Sequence, residues 1–274
     1  MERIQEALAK ARAERQKGRT TQAPEPATGT PEAPATPTVD ECWAALAPFK
    51  LNRALLRKHR VVATDSGREA APYDLLRTKI IHQAQTNGWH RVAIVSPDMG
   101  AGKTTTLANL AFSFERQRDM RILCLDLDLR RPTLHRILGQ MPDHSMADVL
   151  DGHVRFSEHG RRLGNRVAFG FNREPASNPS GLLLSRDTRE ALARIDAEFA
   201  ADLTLFDISP LNASDDNIAF LQNVDCAVII AAAEATPMSR IDQAERQVAE
   251  LTNVMGIVLN KCRYVSEAEG YEYY

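Results

Sequence analysis

Apolar residues in this chain gather in short unbroken runs, separated by stretches in which they recur every three or four positions. The runs RVAIVS (91–96), RILCLDLD (121–128), LTLFDIS (203–209), DCAVIIAAA (225–233) and GIVLNK (256–261) read as buried strands. RVVAT (60–64) and RVAFGF (166–171) are shorter strand candidates. Between them, PYDLLRTKIIHQAQ (72–85), KTTTLANLAFSFERQ (103–117), DTREALARIDAEFA (187–200) and SRIDQAERQVAELT (239–252) read as helices. TLHRILG (133–139) predicts a shorter helix closed by Gly139. Strands that are apolar throughout and alternate with helices predict a doubly wound α/β fold, its mostly parallel sheet covered on both faces.

The two ends follow different rules. Residues 1–16 predict an amphipathic helix with Ile4, Leu8 and Ala11 along one narrow face, a stripe too thin to stabilise a helix alone. Residues 17–40, rich in Pro, Thr and Ala, read as an extended linker. The globular body is expected over 41–263, and 264–274 forms a tail. Of five tyrosines in the chain, Tyr271, Tyr273 and Tyr274 sit in the last four residues and Tyr264 lies just upstream. A terminus gains little from aromatic burial unless something ties it down. A docked aromatic plug is one reading of the tail, and chemistry in the body supplies another.

Composition narrows the classes. Hydrophobic residues at 43% and charged residues at 26% are ordinary for a soluble protein of 274 residues. A net charge of -2 argues against a nucleic-acid partner bound through its phosphates. No run approaches the roughly 18 apolar residues of a membrane span, and the N-terminus lacks the apolar segment of a secretory signal. Four cysteines show no CxxC spacing, and Cys124 and Cys226 fall inside strand-like runs, as reduced core thiols do. A cytoplasmic, reducing setting is expected.

Candidate chemistry begins at SPDMGAGKTTT (96–106), between a strand and a helix, where a phosphate-binding loop belongs. Gly100 and Gly102 allow close backbone approach, and the amides at the helix start favour a polyphosphate. Lys103 would reach the β- and γ-phosphates, and the Thr104 hydroxyl would join a Mg²⁺ shell. The first glycine of GxxxxGK[ST] is Pro97 here. In LCLDLDLRRP (123–132), Asp126 and Asp128 are two apart and point the same way toward the carboxyl edge of the sheet. A cation would offset their burial, although a helix cap or an ion pair with Arg130 and Arg131 is an alternative. LFDISP (205–210) places Asp207 at the end of another strand, where P-loop NTPases carry a further Mg²⁺ carboxylate.

GAGKTTT, LDLDLRRPTLHRILG, FDISP and the tyrosine-rich tail together resemble the bacterial tyrosine kinases of capsule and exopolysaccharide assembly, from about residue 60 onward. The resemblance maps the Walker A, A′ and B motifs to Gly100–Thr104, Asp126–Arg130 and Asp207. NPSGLLLS (178–185) and VLNK (258–261) also look like segments of that family. It implies that Gly100, Ala101, Gly102, Lys103, Thr104, Thr105 and Asn260 hold ATP, with Thr104, Asp128 and Asp207 serving Mg²⁺. Phosphoryl transfer would go to Tyr271, Tyr273 and Tyr274 in trans, with Asp126 the first choice of proton acceptor and Asp128 the second. A membrane-embedded polysaccharide co-polymerase is the implied activator, docked through the N-terminal helix or the basic stretch 51–60, and a tyrosine phosphatase the implied antagonist.

The chain departs from that family at several positions. Met99 replaces the proline of PGxGK, and Ser209 replaces the first proline of DxPP. The ring-forming ExxRxxR helix motif aligns with Ala71, Asp74 and Arg77, so only its last arginine survives. Two rival functions share the fold. A ParA/MinD-like ATPase switch carries an extra lysine five positions before the P-loop lysine, where this chain has Asp98. The other is a weakly catalytic nucleotide-binding adaptor of a polysaccharide export complex.

Overall fold

The computed structural model describes residues 37–263 except Arg118, so the N-terminal helix expected at 2–16 and the tyrosine tail lie outside the described residues. Eight described strands form one sheet: β1 (Ala47–Pro48), β2 (Arg91–Val95), β3 (Ile122–Leu127), β4 (Arg161–Leu163), β5 (Val167–Gly170), β6 (Leu203–Ile208), β7 (Cys226–Ala232) and β8 (Asn253–Asn260). Their order is β1-β4-β5-β3-β6-β2-β7-β8, parallel except where β4 meets β5. Every residue of β3, β6 and β7 is buried, as expected of strands covered on both faces.

Helices flank both faces. On one side lie α2 (Arg53–Lys58), α3 (Ala71–Asn87), α4 (Lys103–Glu115) and α5 (Leu134–Leu138), around a core containing Leu107, Phe114, Phe169 and Phe171. On the other lie α1 (Val39–Ala45), α6 (Met146–Leu150), α7 (Phe156–His159), α8 (Pro179–Leu184), α9 (Arg186–Phe199), α10 (Asp216–Leu221) and α11 (Met238–Ala249), around Trp43, Phe156, Phe199 and Phe220. Within α9, Ala191, Leu192, Ile195 and Phe199 form the buried stripe that its sequence predicts. Cys42, Cys124 and Cys226 are free, buried thiols, and Cys262 is free and exposed.

Two expectations need correction. RVVAT (60–64) forms no strand, because Asn109 on α4 takes over its backbone bonding. The Asn109 Oδ1 accepts from the amides of Val62 (2.8 Å) and Ala63 (3.0 Å), while Nδ2 donates to Arg60 O (3.0 Å). Backbone groups satisfied by a side chain have no need of a neighbouring strand. The second correction concerns residues 38–40, read as linker. Thr38 caps α1, and a reciprocal bond runs from its amide to Glu41 Oε2 (2.7 Å). Helix α1 then buries Trp43, whose indole N–H donates to Phe199 O at 2.7 Å, so ordered structure begins before residue 41. The short helices α1, α2, α6, α7, α8 and α10 were not foreseen, since four to seven residues carry too little periodicity to stand out.

Candidate active site

The sheet order places β2 between β6 and β7, with β3 beyond β6, so the chain reverses direction across the sheet at β2. Open α/β sheets bind ligands outside the carboxyl ends of the strands at such a point. The loop 96–102 leaves β2 there and feeds α4. Gly100 (φ 77°) and Gly102 (φ 99°) adopt left-handed torsions that a side chain resists, and Gly102 immediately precedes the helix. A Cβ on Gly102 would fall 2.3 Å from Asn260 Nδ2, so close approach forbids a side chain as well. The loop's outward carbonyls are held by the end of β8: Asn260 Nδ2 donates to Ala101 O (2.8 Å) and Lys261 Nζ to Gly100 O (2.6 Å). From the other flank, the amide of Leu211 donates to Ser96 O at 2.8 Å. These contacts leave the loop amides and the start of α4 for an anion.

Beside this loop, Asp126 on β3 and Asp207 on β6 are register partners, and both are buried. Asp126 Oδ1 accepts from the amide of Asp128 at 3.2 Å, whereas Asp126 Oδ2 and both oxygens of Asp207 have no hydrogen-bond partner. Burial, then the neighbouring Asp207 and Asp128 charges, raise the Asp126 carboxyl well above its usual range. Burial also pushes Asp207 up to about 6, against the opposing charge of Lys103 and the Thr104 side chain. Lys103 is itself buried, the counter-ion that this acidic pair requires. Thr104 Oγ1 accepts from the Thr133 hydroxyl at 3.4 Å.

Asp128 lies one residue past β3, where its Oδ1 accepts from the Arg131 amide (3.1 Å) and the Ser209 hydroxyl (3.1 Å). It pairs with neither Arg130 nor Arg131, so the ion-pair alternative fails, while the Arg131 bond preserves its cap-like part. Arg130 instead grips Asp216 on α10 through Nε (2.6 Å) and Nη2 (3.0 Å). Asp98 accepts from Asn212 Nδ2 at 3.3 Å.

The residues fit a magnesium nucleotide. Unpartnered buried carboxylate oxygens beside a buried lysine are costly on their own, and a divalent cation relieves them. Among the described residues no three His, Cys, Asp or Glu side chains cluster tightly enough to cage a metal. Mg²⁺ suits such a site because it relies on one or two carboxylates together with waters and phosphate oxygens. Thr104, Asp128 and Asp207 would hold it, with Asp126 adjacent.

Of the predicted residues, Gly100 to Thr105, Asp126, Asp128, Asp207 and Asn260 gather at this one sheet edge, and Tyr271, Tyr273 and Tyr274 fall outside the described residues. A separate cavity of about 610 Å³ beside α6 and α8, lined by Asp148, Arg173 and Asn178 among others, includes none of them. Sequence reasoning missed Lys261, Asn212 and Asp216. Lys261 is the last residue of the quoted VLNK motif, but only the folded sheet brings Asn212 and Asp216 to the site.

Comparison with known proteins agrees with this geometry. The family described as the CobQ/CobB/MinD/ParA nucleotide binding domain matches residues 92–272. The tyrosine-protein kinase YwqD of Bacillus subtilis is 26% identical over 230 residues, covering 82% of this chain and 95% of that protein. The putative tyrosine-protein kinase AmsA of Erwinia amylovora is 26% identical over 68% of this chain, which spans 25% of AmsA. Among solved structures, the kinase domain of the Escherichia coli tyrosine kinase ETK superposes with TM-score 0.65 at 22% identity, covering 75% of this chain and 80% of that one. The Pyrococcus furiosus cell division ATPase MinD gives TM-score 0.54 at 21% identity, covering 65% and 74%. At those identities the structures speak for the fold. The chain belongs to the CobQ/CobB/MinD/ParA nucleotide-binding domain family.

Proposed function

We propose that this chain is an ATP-dependent protein-tyrosine autokinase that transfers the γ-phosphoryl group to Tyr271, Tyr273 and Tyr274 of a second copy, and so regulates exopolysaccharide or capsule assembly. The observation that carries the reading is the convergence of a P-loop lysine with the buried pair Asp126 and Asp207, in a chain whose relatives include tyrosine-protein kinases. Phosphoryl transfer is mostly positioning and charge stabilisation. Lys103 and the amides of the loop hold the phosphates, and Asn260 lies where the loop meets β8. Mg²⁺ held by Thr104, Asp128 and Asp207 would supply charge neutralisation for the phosphoryl group in transfer. Asp126 accepts the tyrosine proton in its ionised form, and burial beside Asp207 and Asp128 raises its affinity for that proton.

A membrane-embedded polysaccharide co-polymerase would act as activator and a tyrosine phosphatase as antagonist, with the chain at the cytoplasmic face of the membrane. No described helix is long and apolar enough to cross a membrane; attachment through the co-polymerase is part of the proposal. Asp98, engaged by Asn212, occupies the position where a ParA/MinD-like switch has its extra lysine, which favours the kinase reading. The test is transfer of labelled phosphate from ATP to the full chain, expressed beside its co-polymerase. Label should enter the C-terminal peptide and be lost with Lys103→Met. Undiminished labelling of that variant refutes the assignment of Lys103. An unlabelled tail with intact nucleotide binding supports an adaptor instead.

A further inference from the structure

Ser209 stands where the tyrosine-kinase pattern has a proline, and the substitution introduces a hydroxyl at a buried position. That hydroxyl lies between two carboxylates, 3.1 Å from Asp128 Oδ1 and 3.4 Å from Asp216 Oδ2. It has one proton to give. Asp216 is already supplied: Oδ2 takes the Arg130 Nε–H at 2.6 Å, and Oδ1 takes Arg130 Nη2 at 3.0 Å and the Ser180 hydroxyl at 2.6 Å. The Ser209 proton therefore goes to the nearer and less satisfied acceptor, Asp128 Oδ1, which also receives the Arg131 amide at 3.1 Å. Both donors fall on the same oxygen, and no described residue donates to Oδ2 of Asp128.

We propose that Ser209 is a positioning residue that fixes Asp128 by one carboxylate oxygen, so that the other is presented to the cation of a magnesium nucleotide. The Arg130–Asp216–Ser180 cluster, satisfied within itself, leaves the Ser209 proton to Asp128. The proposal rests on the reading of this edge as a magnesium-nucleotide site, and it sharpens that reading. An Asp128 committed through Oδ1 to Ser209 and the Arg131 amide serves the cation, which leaves Asp126, with its unpartnered Oδ2, to accept the tyrosine proton. A proline at position 209 has no hydroxyl to perform this task.

The experiment titrates Mg²⁺ into full-length protein with a fluorescent ATP analogue and reads the Mg²⁺ midpoint for nucleotide binding, with no transfer step involved. Ser209→Ala should raise the midpoint by about tenfold, the scale of one hydrogen bond to a charged group. Its nucleotide affinity without Mg²⁺ should stay unchanged, and Ser209→Thr should restore the wild-type midpoint. Thermal melts confirm that each variant is folded. A Ser209→Ala midpoint equal to wild type overturns the proposal, and so does a Ser209→Thr midpoint displaced as far as that of alanine, since packing would then be the cause. Wild-type binding that ignores Mg²⁺ would instead remove the magnesium-nucleotide reading, and the proposal with it.

Discussion

Asp126 and Asp207 are direct register partners on β3 and β6, buried side by side with three of their four carboxylate oxygens unpartnered. Two like charges held together away from water destabilise the folded chain, and the Asp207 charge raises the proton affinity of Asp126. The site is thus built for a positive ligand, and its ligand-free form bears a measurable cost.

That cost has a sign in pH. The Asp126 carboxyl is raised by burial and then by its acidic neighbours, and Asp207 is raised by burial to about 6. A carboxyl with a raised folded pKa contributes stability at low pH that is lost as pH rises through the folded value. Asp126→Asn abolishes this titration and keeps an oxygen for the Asp128 amide. Its advantage over wild type in urea unfolding, without nucleotide or Mg²⁺, should be smallest below about pH 4, the unfolded carboxyl's range, and should grow as pH rises toward about 8. A gap that stays constant across that range would contradict the electrostatic account.

Asn109 should be among the costlier polar positions to change. It makes four hydrogen bonds, to Val62, Ala63, Arg60 and Thr105, from a fully buried side chain. Asn109→Ala strands two amides and leaves a small cavity, for an expected loss of about 2–4 kcal/mol. Chemical denaturation measures it, and hydrogen exchange should show the amides of Val62 and Ala63 losing protection first.

Arg77 is the surviving arginine of the ring motif, yet its Nη1 is engaged within the chain. Its Nη1 donates to Asp74 Oδ1 (3.1 Å), Ser113 O (2.8 Å) and Ser113 Oγ (2.9 Å), and Arg116 closes on the same Asp74. Arg77→Ala should therefore cost about 1–3 kcal/mol of stability while leaving sedimentation behaviour unchanged. A shift in association state with stability intact would show that Arg77 faces a neighbour.

The tail supplies a test of substrate identity. Phenylalanine at positions 271, 273 and 274 together should remove most labelling while nucleotide affinity remains at the wild-type value. Each phosphate adds about -1.5 to -2 charges to a segment that already carries Glu267, Glu269 and Glu272. Phosphorylated protein should consequently self-associate less than the unmodified chain, as light scattering would report.

Sequence alone determined the scaffold and the loop. Unbroken apolar runs such as those of β3, β6 and β7 can be buried only in a sheet covered on both faces, so their composition fixes the fold class. The phosphate loop was equally legible, because its glycines, lysine and following helix are contiguous and act through local backbone geometry. Tertiary structure decided the rest. It turned 60–64 from a strand into a segment clasped by Asn109, 46 and 47 residues away. It also brought Ser209 to Asp128 across 81 residues and Asp216 to Arg130 across 86. Such partners leave no trace in local periodicity, since a hydrogen bond between distant side chains depends on strand order and register, and those emerge only when the whole core packs.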